Sequence, residues 1–494
     1  MSAELMHRNI ERAQKRIDET KESVSHGAMR QRYHFMAQAG WINDPNGLIF
    51  YKGKYHYFYQ YNPYYGFWDY MHWGHAVSED LVHWTYLPLA LAPSEIYDDH
   101  MRGGCFSGSA IEFDGKLFLV FTGVTNEGKG FDQTQNIAYS EDGIHFTKYE
   151  GNPVLRAPEG VPTPFFRDPK VWKHGDYIYM VVGASCEGKG QARLYRTKDM
   201  FHWDFVNVLA ESRGEWGYMW ECPDFFKLGD KYVLLFSPMG GGERTSVYLT
   251  GDFDYETGKF DWHGSGAIDW GFEYYAPQSF LAPDGRRILV AWANCWDWMP
   301  IWKDWGPTYK EGWCGHFNIP REARLMADGT LQFIPVKELN ALRETPRNYG
   351  EMTVHDGEMT EIEAGDGVAY EWNMAVDLKK TTAEQIKLCL RCGEGRATVC
   401  TFDLNKAEMS VDKNNADGWS KGRSRSTLFL KGKDSLDIHV FADQSSVEVF
   451  ADQYRISHSM NVYAPNSQDR NYIEAVGGQV EVTGMETYGL KKVM

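Results

Sequence analysis

Residues 78–84 read SEDLVHW, and closely related heptapeptides return twice further along the chain. Residues 140–146 read SEDGIHF and residues 197–203 read TKDMFHW, so successive copies begin 62 and 57 residues apart. Each copy has the composition of a polar turn that leads an aromatic side chain into a strand. Residues 249–255, LTGDFDY, are a more divergent fourth copy. A repeat of this length can hold one four-stranded sheet with long loops, which is the unit of a β-propeller.

A second series of motifs places one polar residue ahead of an apolar strand in every repeat. Its members are NDPNG with Asp44, CFSGSA with Ser107, FRDPKV with Asp168, WECPDFF with Glu221 and YYAPQSF with Tyr275, at steps of 63, 61, 53 and 54 residues. Five such repeats fill the chain from about residue 30 to residue 335. If these are the innermost strands of a propeller, five polar side chains from distant parts of the sequence meet in one central funnel.

The patterns divide the chain into four segments. In residues 1–29 apolar side chains recur near helical spacing, which predicts a short amphipathic helix. The repeats occupy residues 30–335, and a short linker helix is predicted at 336–346. The alternating, turn-rich sequence of residues 347–494 predicts a β-sandwich of ordinary domain size. The expected fold class is all-β: a five-bladed β-propeller followed by a C-terminal β-sandwich, with a short N-terminal helix.

Charge and hydropathy narrow the possible partners and location. The net charge is −17 and no basic stripe is present, so neither nucleic acid nor an anionic membrane is expected as a partner. The first residues lack the apolar core of a secretory signal, and no apolar run has the length of a membrane span. Eight scattered cysteines fit a reducing compartment, so a cytoplasmic location is expected. Cys389 and Cys392 form a C-x-x-C without a second pair at zinc spacing and are interpreted as structural thiols.

Three of the funnel residues are carboxylic acids: Asp44, Asp168 and Glu221. Taken singly, each could cap a turn or pair with an arginine. Together, at equivalent positions of the repeats, they indicate chemistry, because two carboxylates suffice to cleave a glycosidic bond and a third can stabilise a cationic transition state. Calcium is the competing interpretation, but no segment has EF-hand spacing and the aromatic surroundings favour sugar. No metal and no cofactor are therefore predicted.

At this point several motifs together resemble a known family. WINDPNG, FSGSA, FRDPKV, WECPDFF, MHWGHAVSEDLVHW, YAPQSF, GRRILVAW and IPRE are similar to the signature series of glycoside hydrolase family 32, the β-fructofuranosidases, and most closely to the bacterial sucrose-6-phosphate hydrolase and invertase group. The similarity covers nearly the whole chain. It implies a five-bladed propeller followed by a β-sandwich, in agreement with the repeat count.

The resemblance also implies roles for the three acids. Asp44 would be the nucleophile that attacks the anomeric carbon of fructose, and Glu221 would be the acid/base. Asp168 would stabilise the transition state by holding fructose hydroxyls. The reaction would retain configuration through a covalent fructosyl-enzyme, and the Asp44 and Glu221 carboxyl groups would lie roughly 5–5.5 Å apart.

Further residues match family positions that contact the substrate. They are Asn43, Gln60, Trp68 and Ser107. Turn capping is the alternative role for Asn43 and Ser107, and packing is the alternative for Trp68. Arg167 could hold the neighbouring Asp168 carboxylate charged or bind a fructose hydroxyl. Tyr275 completes the expected set of substrate-binding residues.

Two pairs of residues depart from the family pattern. Asp69 and Tyr70 stand where a small residue and an amide are common, and Glu273 and Tyr274 replace the usual Asp and Phe before YAPQ. Both pairs are expected to alter the leaving-group side of the pocket. A phosphorylated substrate would need a basic anchor, and Arg102 is the candidate because guanidinium groups bind phosphate bidentately.

The main hypothesis is hydrolysis of sucrose or sucrose 6-phosphate, small sugars that can be imported. An exo-acting hydrolase of inulin, levan or short fructooligosaccharides would share every catalytic residue and is the first alternative. A fructosyltransferase would differ only in how its acceptor pocket treats water. A non-catalytic fructan-binding protein is the alternative from another class. The expected partner is a small-molecule sugar, and self-association into a homo-oligomer is left open.

Overall fold

The computed structural model describes residues 2–125, 131–296 and 306–494. Regular structure in these ranges is almost entirely strand. One α-helix, α1 (Ser2–Ser25), comes first, and three short 3₁₀ helices follow at Thr163–Phe165, Pro307–Glu311 and Lys337–Leu342. None of the helices in the described ranges is both long and apolar enough to cross a membrane. The all-β class expected from the sequence is confirmed.

The first group of strands runs from residue 40 to residue 335. Its members are β1 (Gly40–Tyr51), β2 (Lys54–Asn62), β3 (His72–Ser78), β4 (Trp84–Tyr86), β5 (Gly104–Phe113), β6 (Lys116–Thr125), β7 (Asp132–Ser140), β8 (Thr147–Lys148), β9 (Leu155–Arg156), β10 (Phe166–His174), β11 (Tyr177–Cys186), β12 (Lys189–Thr197), β13 (Asp204–Glu211), β14 (Met219–Leu228), β15 (Lys231–Met239), β16 (Val247–Asp254), β17 (Lys259–Ala267), β18 (Tyr275–Leu281), β19 (Arg287–Trp292), β20 (Trp313–Cys314), β21 (Arg321–Leu325) and β22 (Leu331–Pro335).

Within the described residues these strands form five sheets, here called the N-terminal sheets. Their strand orders are β20-β1-β2-β3-β4, β5-β6-β7-β8 with β9 beside β7, β10-β11-β12-β13, β14-β15-β16-β17 and β18-β19-β21-β22. The first strand in the chain from each sheet contacts the first strand of the next: β1 contacts β5, β5 contacts β10, β10 contacts β14, and β14 contacts β18. Since β18 also contacts β1, these five strands close a ring. The polar residue of every repeat lies on one of them.

The repeated heptapeptide forms the same turn in three sheets. Asp80, Asp142 and Asp199 each accept hydrogen bonds from the backbone N–H groups two and three positions later, and each binds the ring of the histidine at the third position. The turns join β3 to β4, β7 to β8 and β12 to β13. The divergent copy instead lies mostly within β16 and ends at the turn to β17, where the Asp254 carboxylate binds the Glu256 N–H and the Thr257 hydroxyl. The three close copies therefore mark one structural position.

The second group of strands forms two sheets, here called the C-terminal sheets. Its members are β23 (Arg347–Asn348), β24 (Met352–Val354), β25 (Met359–Glu361), β26 (Tyr370–Asp377), β27 (Gln385–Gly393), β28 (Arg396–Asp403), β29 (Glu408–Asp412), β30 (Arg423–Thr427), β31 (Ser435–Asp443), β32 (Ser446–Ala451), β33 (Ile456–Asn461), β34 (Arg470–Val476) and β35 (Val480–Gly489). One sheet has the order β23-β35-β26-β31-β32-β33 with β24 beside β35, and the other has the order β25-β34-β27-β28-β29-β30. Trp372 and Val440 of the first sheet share one core with Leu388 and Phe402 of the second.

Helix α1 packs its apolar face on the N-terminal sheets. Met6 joins the core that contains Phe58 and Leu119, whereas Ala13 and Ile17 join the core around Tyr57. The predicted amphipathic helix is thus present, and burial of this face offsets the cost of ordering the helix.

A buried network of charged side chains joins the two groups of sheets. The Arg321 guanidinium on β21 binds the Asp269 carboxylate at 2.8 Å and also binds Glu448 on β32. The His34 ring bridges Glu448 at 3.0 Å and Asp443 at 2.8 Å. Burial alone would lower the pKa of His34, but the two carboxylates outweigh it and raise that pKa to about 9. Every charge in this network has a partner of opposite sign.

We expect Arg321→Met to lower the free energy of unfolding by about 3–5 kcal/mol, because it leaves two carboxylates buried without their cation. Chemical denaturation with urea measures the change. Arg324→Met is the matched control, since Arg324 lies on the same strand but is largely exposed and pairs with Glu322 of that strand; it should cost less than about 1 kcal/mol. Equal losses in the two variants would contradict the assignment.

Candidate active site

The residues singled out in the repeats lie at irregularities in the ring strands. Register with the neighbouring strand shifts between Ile42 and Pro45, Phe106 and Gly108, Arg167 and Lys170, Glu221 and Asp224, and Tyr275 and Gln278. Asp44, Ser107 and Asp168 fall inside these shifts, and Glu221 and Tyr275 stand at their edges. A β-bulge re-aims a side chain and is frequent next to active sites. The same device therefore presents one polar side chain from each sheet.

Three of these bulges hold a residue other than glycine in the left-handed region. The φ angles are 67° at Asp168, 48° at Cys222 and 53° at Ala276. Such a conformation costs on the order of 1 kcal/mol or more and persists only where the surroundings enforce it. At Asp168 and Cys222 hydrogen bonds between the two residues supply that enforcement.

Glu221 is held at both carboxylate oxygens. Arg167 donates to Oε1 from Nε at 2.9 Å and from Nη2 at 2.8 Å. The Tyr275 hydroxyl donates to Oε2. Arg167 also lies 3.9 Å from the Asp168 carboxylate, measured from Nε to Oδ2. One buried guanidinium thus connects two of the three acids.

Asp44 has one occupied and one open carboxylate oxygen. Oδ2 accepts the Ser107 hydroxyl at 2.6 Å and the Cys222 thiol at 3.4 Å. Oδ1 is buried and has no hydrogen-bond partner in the described part of the protein. Burial, with a further contribution from the nearby Glu221 carboxylate, raises the pKa of Asp44, and interactions with Ser107, Asn43 and Cys222 oppose the rise; the net pKa is about 6.

Asp168 meets Asp44 through Cys222. The Cys222 N–H donates to Asp168 Oδ2 at 2.9 Å, and the thiol that contacts Asp44 lies 3.6 Å from the same oxygen. The Asp168 N–H donates in turn to the Thr122 hydroxyl at 2.9 Å. Burial raises the pKa of Asp168; Arg167 lowers it, and the Glu221 and Asp44 carboxylates raise it. Three acids and one arginine thus form a single buried, coupled cluster.

Two predicted contact residues have partners beside this cluster. Asn43 accepts a hydrogen bond from the Trp41 indole at 2.7 Å, and its side chain lies close enough to Asp44 to lower that pKa. The Gln60 amide donates to the Cys105 carbonyl at 2.8 Å. Both side chains are buried. Their positions fit a role in fixing the walls of the pocket as well as in contacting a ligand.

Trp68 stands at the same end of the ring and is partly exposed. Its ring meets Phe106 edge-on at 5.9 Å and Trp296 at 6.1 Å between centroids. Phe106 immediately precedes Ser107, so this aromatic group borders the carboxylate cluster. A flat, partly exposed indole is suited to pack against a sugar ring.

The departures from the family pattern fall in two different places. Asp69 accepts the N–H of Tyr70, whose hydroxyl donates to Asp99 at 3.3 Å. Burial raises the pKa of Asp69, and the charge of nearby Arg102 opposes the rise. Asp69 and Tyr70 are partly exposed and follow Trp68 in the chain. Their position at the rim of the substrate pocket stays a prediction.

The expectation for Glu273 and Tyr274 needs correction. The Glu273 carboxylate binds the Lys413 ammonium at 2.5 Å and the Asn461 N–H at 3.1 Å, both from the C-terminal sheets. The Tyr274 ring is buried under the Arg321 guanidinium at 4.3 Å. The Glu273 side chain faces the C-terminal sheets, whereas Tyr274 packs in a core of the N-terminal sheets with Phe226 and Leu289. The pair does not line the leaving-group side.

One site residue was missed in the sequence. Cys222 contacts Asp44 and Asp168 and adjoins Glu221, although the sequence indicates only one of eight scattered cysteines. The signal in the sequence is its position directly after Glu221 in the motif WECPDFF, where the structure has a register shift. Among the described residues no group of three or more histidine, cysteine, aspartate or glutamate side chains is placed to hold a metal ion.

The arrangement supplies the groups that one kind of reaction needs. The buried carboxyl groups of Asp44 and Asp168 lie beside the partly buried Glu221, and aromatic side chains border them. An arginine and a tyrosine fix Glu221, and one oxygen of Asp44 has no hydrogen-bond partner among the described residues. Carboxyl groups so placed can cleave a glycosidic bond through a cationic transition state.

Comparison with known proteins identifies the family. Residues 34–335 match the N-terminal domain of the glycosyl hydrolases family 32, and residues 338–488 match its C-terminal domain. A sucrose-6-phosphate hydrolase of Zymomonas mobilis is 38% identical over 446 residues, which cover 85% of this chain and 83% of that protein. A raffinose invertase of Escherichia coli is 36% identical over 460 residues, 89% of this chain and 90% of its own length.

A solved structure extends the likeness to three dimensions. It is a mutant of a Bombyx mori GH32 beta-fructofuranosidase in complex with sucrose, with a TM-score of 0.81, 30% identity and coverage of 98% of both chains. The chain belongs to glycosyl hydrolases family 32.

We expect the activity of the enzyme to fall as the pH drops through about 6, because Asp44 must be ionised to react and its pKa is raised to about 6. Ser107→Ala removes a hydrogen bond to the charged form, so the acidic midpoint of kcat/KM should move to higher pH by about one pH unit.

Ser109→Ala is the matched control for this experiment. Ser109 lies on the same strand, donates to the Pro169 carbonyl at 2.8 Å and accepts the Val171 N–H at 3.0 Å. Its removal should leave the acidic midpoint unchanged. An identical midpoint in the wild type and Ser107→Ala would show that Ser107 does not stabilise the Asp44 carboxylate.

Proposed function

We propose that the protein is a retaining β-fructofuranosidase that hydrolyses the terminal non-reducing β-D-fructofuranoside of sucrose or sucrose 6-phosphate. The observation that carries the proposal is the Asp44 carboxylate, with Oδ2 bound by Ser107 and Oδ1 buried without a partner in the described residues, in one cluster with Glu221. Family membership and the sucrose complex of the Bombyx mori relative support it.

In the first step Asp44 Oδ1 attacks the anomeric carbon of fructose. The bond from that carbon to the bridging oxygen breaks, and the oxygen leaves with a proton from Glu221. In the second step Glu221, now a carboxylate, takes a proton from water while the water oxygen attacks the same carbon and releases Asp44. Two displacements at one carbon retain its configuration, so β-fructose is formed first.

Asp168 and Arg167 would act on the sugar and on the charge. The Asp168 carboxylate would accept hydrogen bonds from fructose hydroxyls, and its negative charge would stabilise the cationic transition state. Arg167 offsets part of the repulsion among the three acids and fixes Glu221. Burial and the neighbouring carboxylates raise the pKa of both Asp44 and Asp168.

The fold assignment belongs to the same proposal. The closed ring of β1, β5, β10, β14 and β18 supports a five-bladed propeller over residues 30–335. The shared core of the C-terminal sheets supports a β-sandwich over residues 347–494, joined by a linker at 336–346 that contains the 3₁₀ helix Lys337–Leu342. A cytoplasmic location is supported by the eight cysteines, all within the described residues and none in a disulfide.

The proposal favours small sugars over fructans. Relatives named sucrose-6-phosphate hydrolase and raffinose invertase align with most of this chain. Exposed Arg102, whose charge acts on Asp69, is the candidate for binding a 6-phosphate near the rim. An exo-acting fructan hydrolase is the second candidate, because it would use the same carboxylates.

The direct test compares fructose release from sucrose, sucrose 6-phosphate and inulin-type oligosaccharides. At least one of the first two sugars should be hydrolysed with kcat/KM above about 10⁴ M⁻¹s⁻¹ and faster than any fructan. If Arg102 binds phosphate, Arg102→Met should reduce activity on sucrose 6-phosphate while leaving that on sucrose within about twofold. Hydrolysis of fructans alone would replace the proposal by its alternative.

Two further variants assign the activity to the site. Asp44→Asn and Glu221→Gln should each lower turnover on the order of 10³-fold or more. Asp44→Asn should keep or raise the melting temperature at pH 8, because the fold disfavours a charged Asp44 and the amide removes that charge. A large loss of stability with a small loss of turnover would make these residues structural.

A further inference from the structure

The segment that leads into β18 is bound to the C-terminal sheets by its backbone. The Trp270 N–H donates to the Ser457 carbonyl at 2.8 Å, and the Glu273 N–H donates to the Ser459 carbonyl at 3.2 Å. The Ser459 N–H returns a hydrogen bond to the Asp269 carboxylate at 2.9 Å. Residues 269–273 therefore follow β33 of the C-terminal sheets.

Glu273 ends this contact with a buried ion pair. Its Oε1 lies 2.5 Å from Lys413 Nζ, and its Oε2 accepts the Asn461 N–H at 3.1 Å. The side chains of Lys413 and Glu273 are 1% and 5% exposed, so water cannot replace either partner. The Glu273 carbonyl accepts the Asn318 amide at 3.2 Å. Burial raises the pKa of Glu273, and Lys413 opposes the rise.

Two residues later the same segment delivers the Tyr275 hydroxyl to Glu221 Oε2. The backbone on either side of Tyr275 is bound to the N-terminal sheets. The Ser246 hydroxyl donates to the Tyr274 carbonyl, and the Ala276 N–H donates to the Ser237 hydroxyl, both at 2.9 Å. One residue, Tyr274, separates Glu273 from Tyr275, so no loop lies between them that could absorb a shift of Glu273.

We propose that Lys413, a residue of the C-terminal sheets, positions the acid/base Glu221 of the N-terminal sheets through the Glu273 ion pair and the Tyr275 hydroxyl. The inference rests on the proposed role of Glu221. Lys413 and Glu273 are positioning residues, since neither contacts the reacting atoms. Glu273 is one of the residues by which this chain departs from the family pattern, so the ion pair with Lys413 involves a residue that differs from that pattern.

The test variant is Lys413→Met, which keeps the length of the side chain and removes its charge. An unpaired Glu273 carboxylate in this buried place must take up a proton or turn away, and either change loosens the segment. Turnover on sucrose or sucrose 6-phosphate should fall about tenfold, whereas KM should stay within about twofold of the wild-type value. The loss is smaller than the roughly 10²–10⁴-fold contribution of general acid catalysis, because the variant misaligns Glu221 without removing it. The basic limb of the pH profile should move as well.

A second substrate separates positioning from general damage. The substrate is a fructoside whose leaving group is a phenolate. A phenolate can leave without a proton from Glu221, so Lys413→Met should slow the hydrolysis of this substrate by less than about threefold. Arg455→Met is the control, because Arg455 of the C-terminal sheets pairs across the same junction with Asp328, away from Tyr275. It should leave both substrates and the pH profile unchanged.

Folding is checked in parallel through the double variant Glu273→Gln/Lys413→Met. It removes both charges and should recover much of the melting temperature lost in Lys413→Met while keeping the slow turnover of the natural sugar. Recovery of both full turnover and stability in the double variant would overturn the inference. In Lys413→Met, equal slowing of both substrates or an unchanged pH profile would overturn it as well.

Crystal structures of the wild type and Lys413→Met provide a readout independent of activity. The Tyr275 hydroxyl should contact Glu221 in the first and be displaced in the second. If the wild type cleaves neither sugar, the proposed function fails, and the displacement of Tyr275 still decides the positioning claim. An unmoved Tyr275 would refute that claim whatever the activity.

Discussion

The ion pair between Arg167 and Glu221 is the interaction on which the site depends. Two buried carboxyl groups, Asp44 and Asp168, and the partly buried Glu221 share one cluster, and among the described residues Arg167 is the cation that pairs with any of them. Burial without that guanidinium would force protons onto the acids. Arg167 holds one oxygen of Glu221 and Tyr275 holds the other. The Arg167 guanidinium thus offsets part of the free-energy cost of burying charged carboxylates, which the proposed reaction requires.

The architecture follows from having to bring these acids together from distant parts of the chain. Each of the five ring strands contributes one polar side chain, and each does so at a bulge that turns the side chain out of the strand's regular alternation. The left-handed conformations of Asp168 and Cys222 are part of this device. The C-terminal sheets add the buried Arg321 network and the Lys413–Glu273 pair, so they bear on the site although they contribute none of its acids.

Much of this was predictable because it is periodic. The spacing of the heptapeptides located the turns, and the second series located Asp44, Asp168 and Glu221 on the ring strands. Contacts that depend on the exact register of strands far apart in sequence were not predictable. Cys222 was overlooked for that reason, and Glu273 was assigned to the pocket although its carboxylate binds Lys413.

The central claim is that Asp44 forms a covalent bond to fructose, and the most direct measurement of it is the anomeric configuration of a trapped product. Sucrose or sucrose 6-phosphate is hydrolysed in the presence of methanol, and the methyl fructofuranoside, which cannot equilibrate between anomers in neutral water, is identified by NMR. Two displacements predict the β-anomer. Formation of the α-anomer would mean a single displacement by solvent and would contradict the assignment of Asp44 as nucleophile.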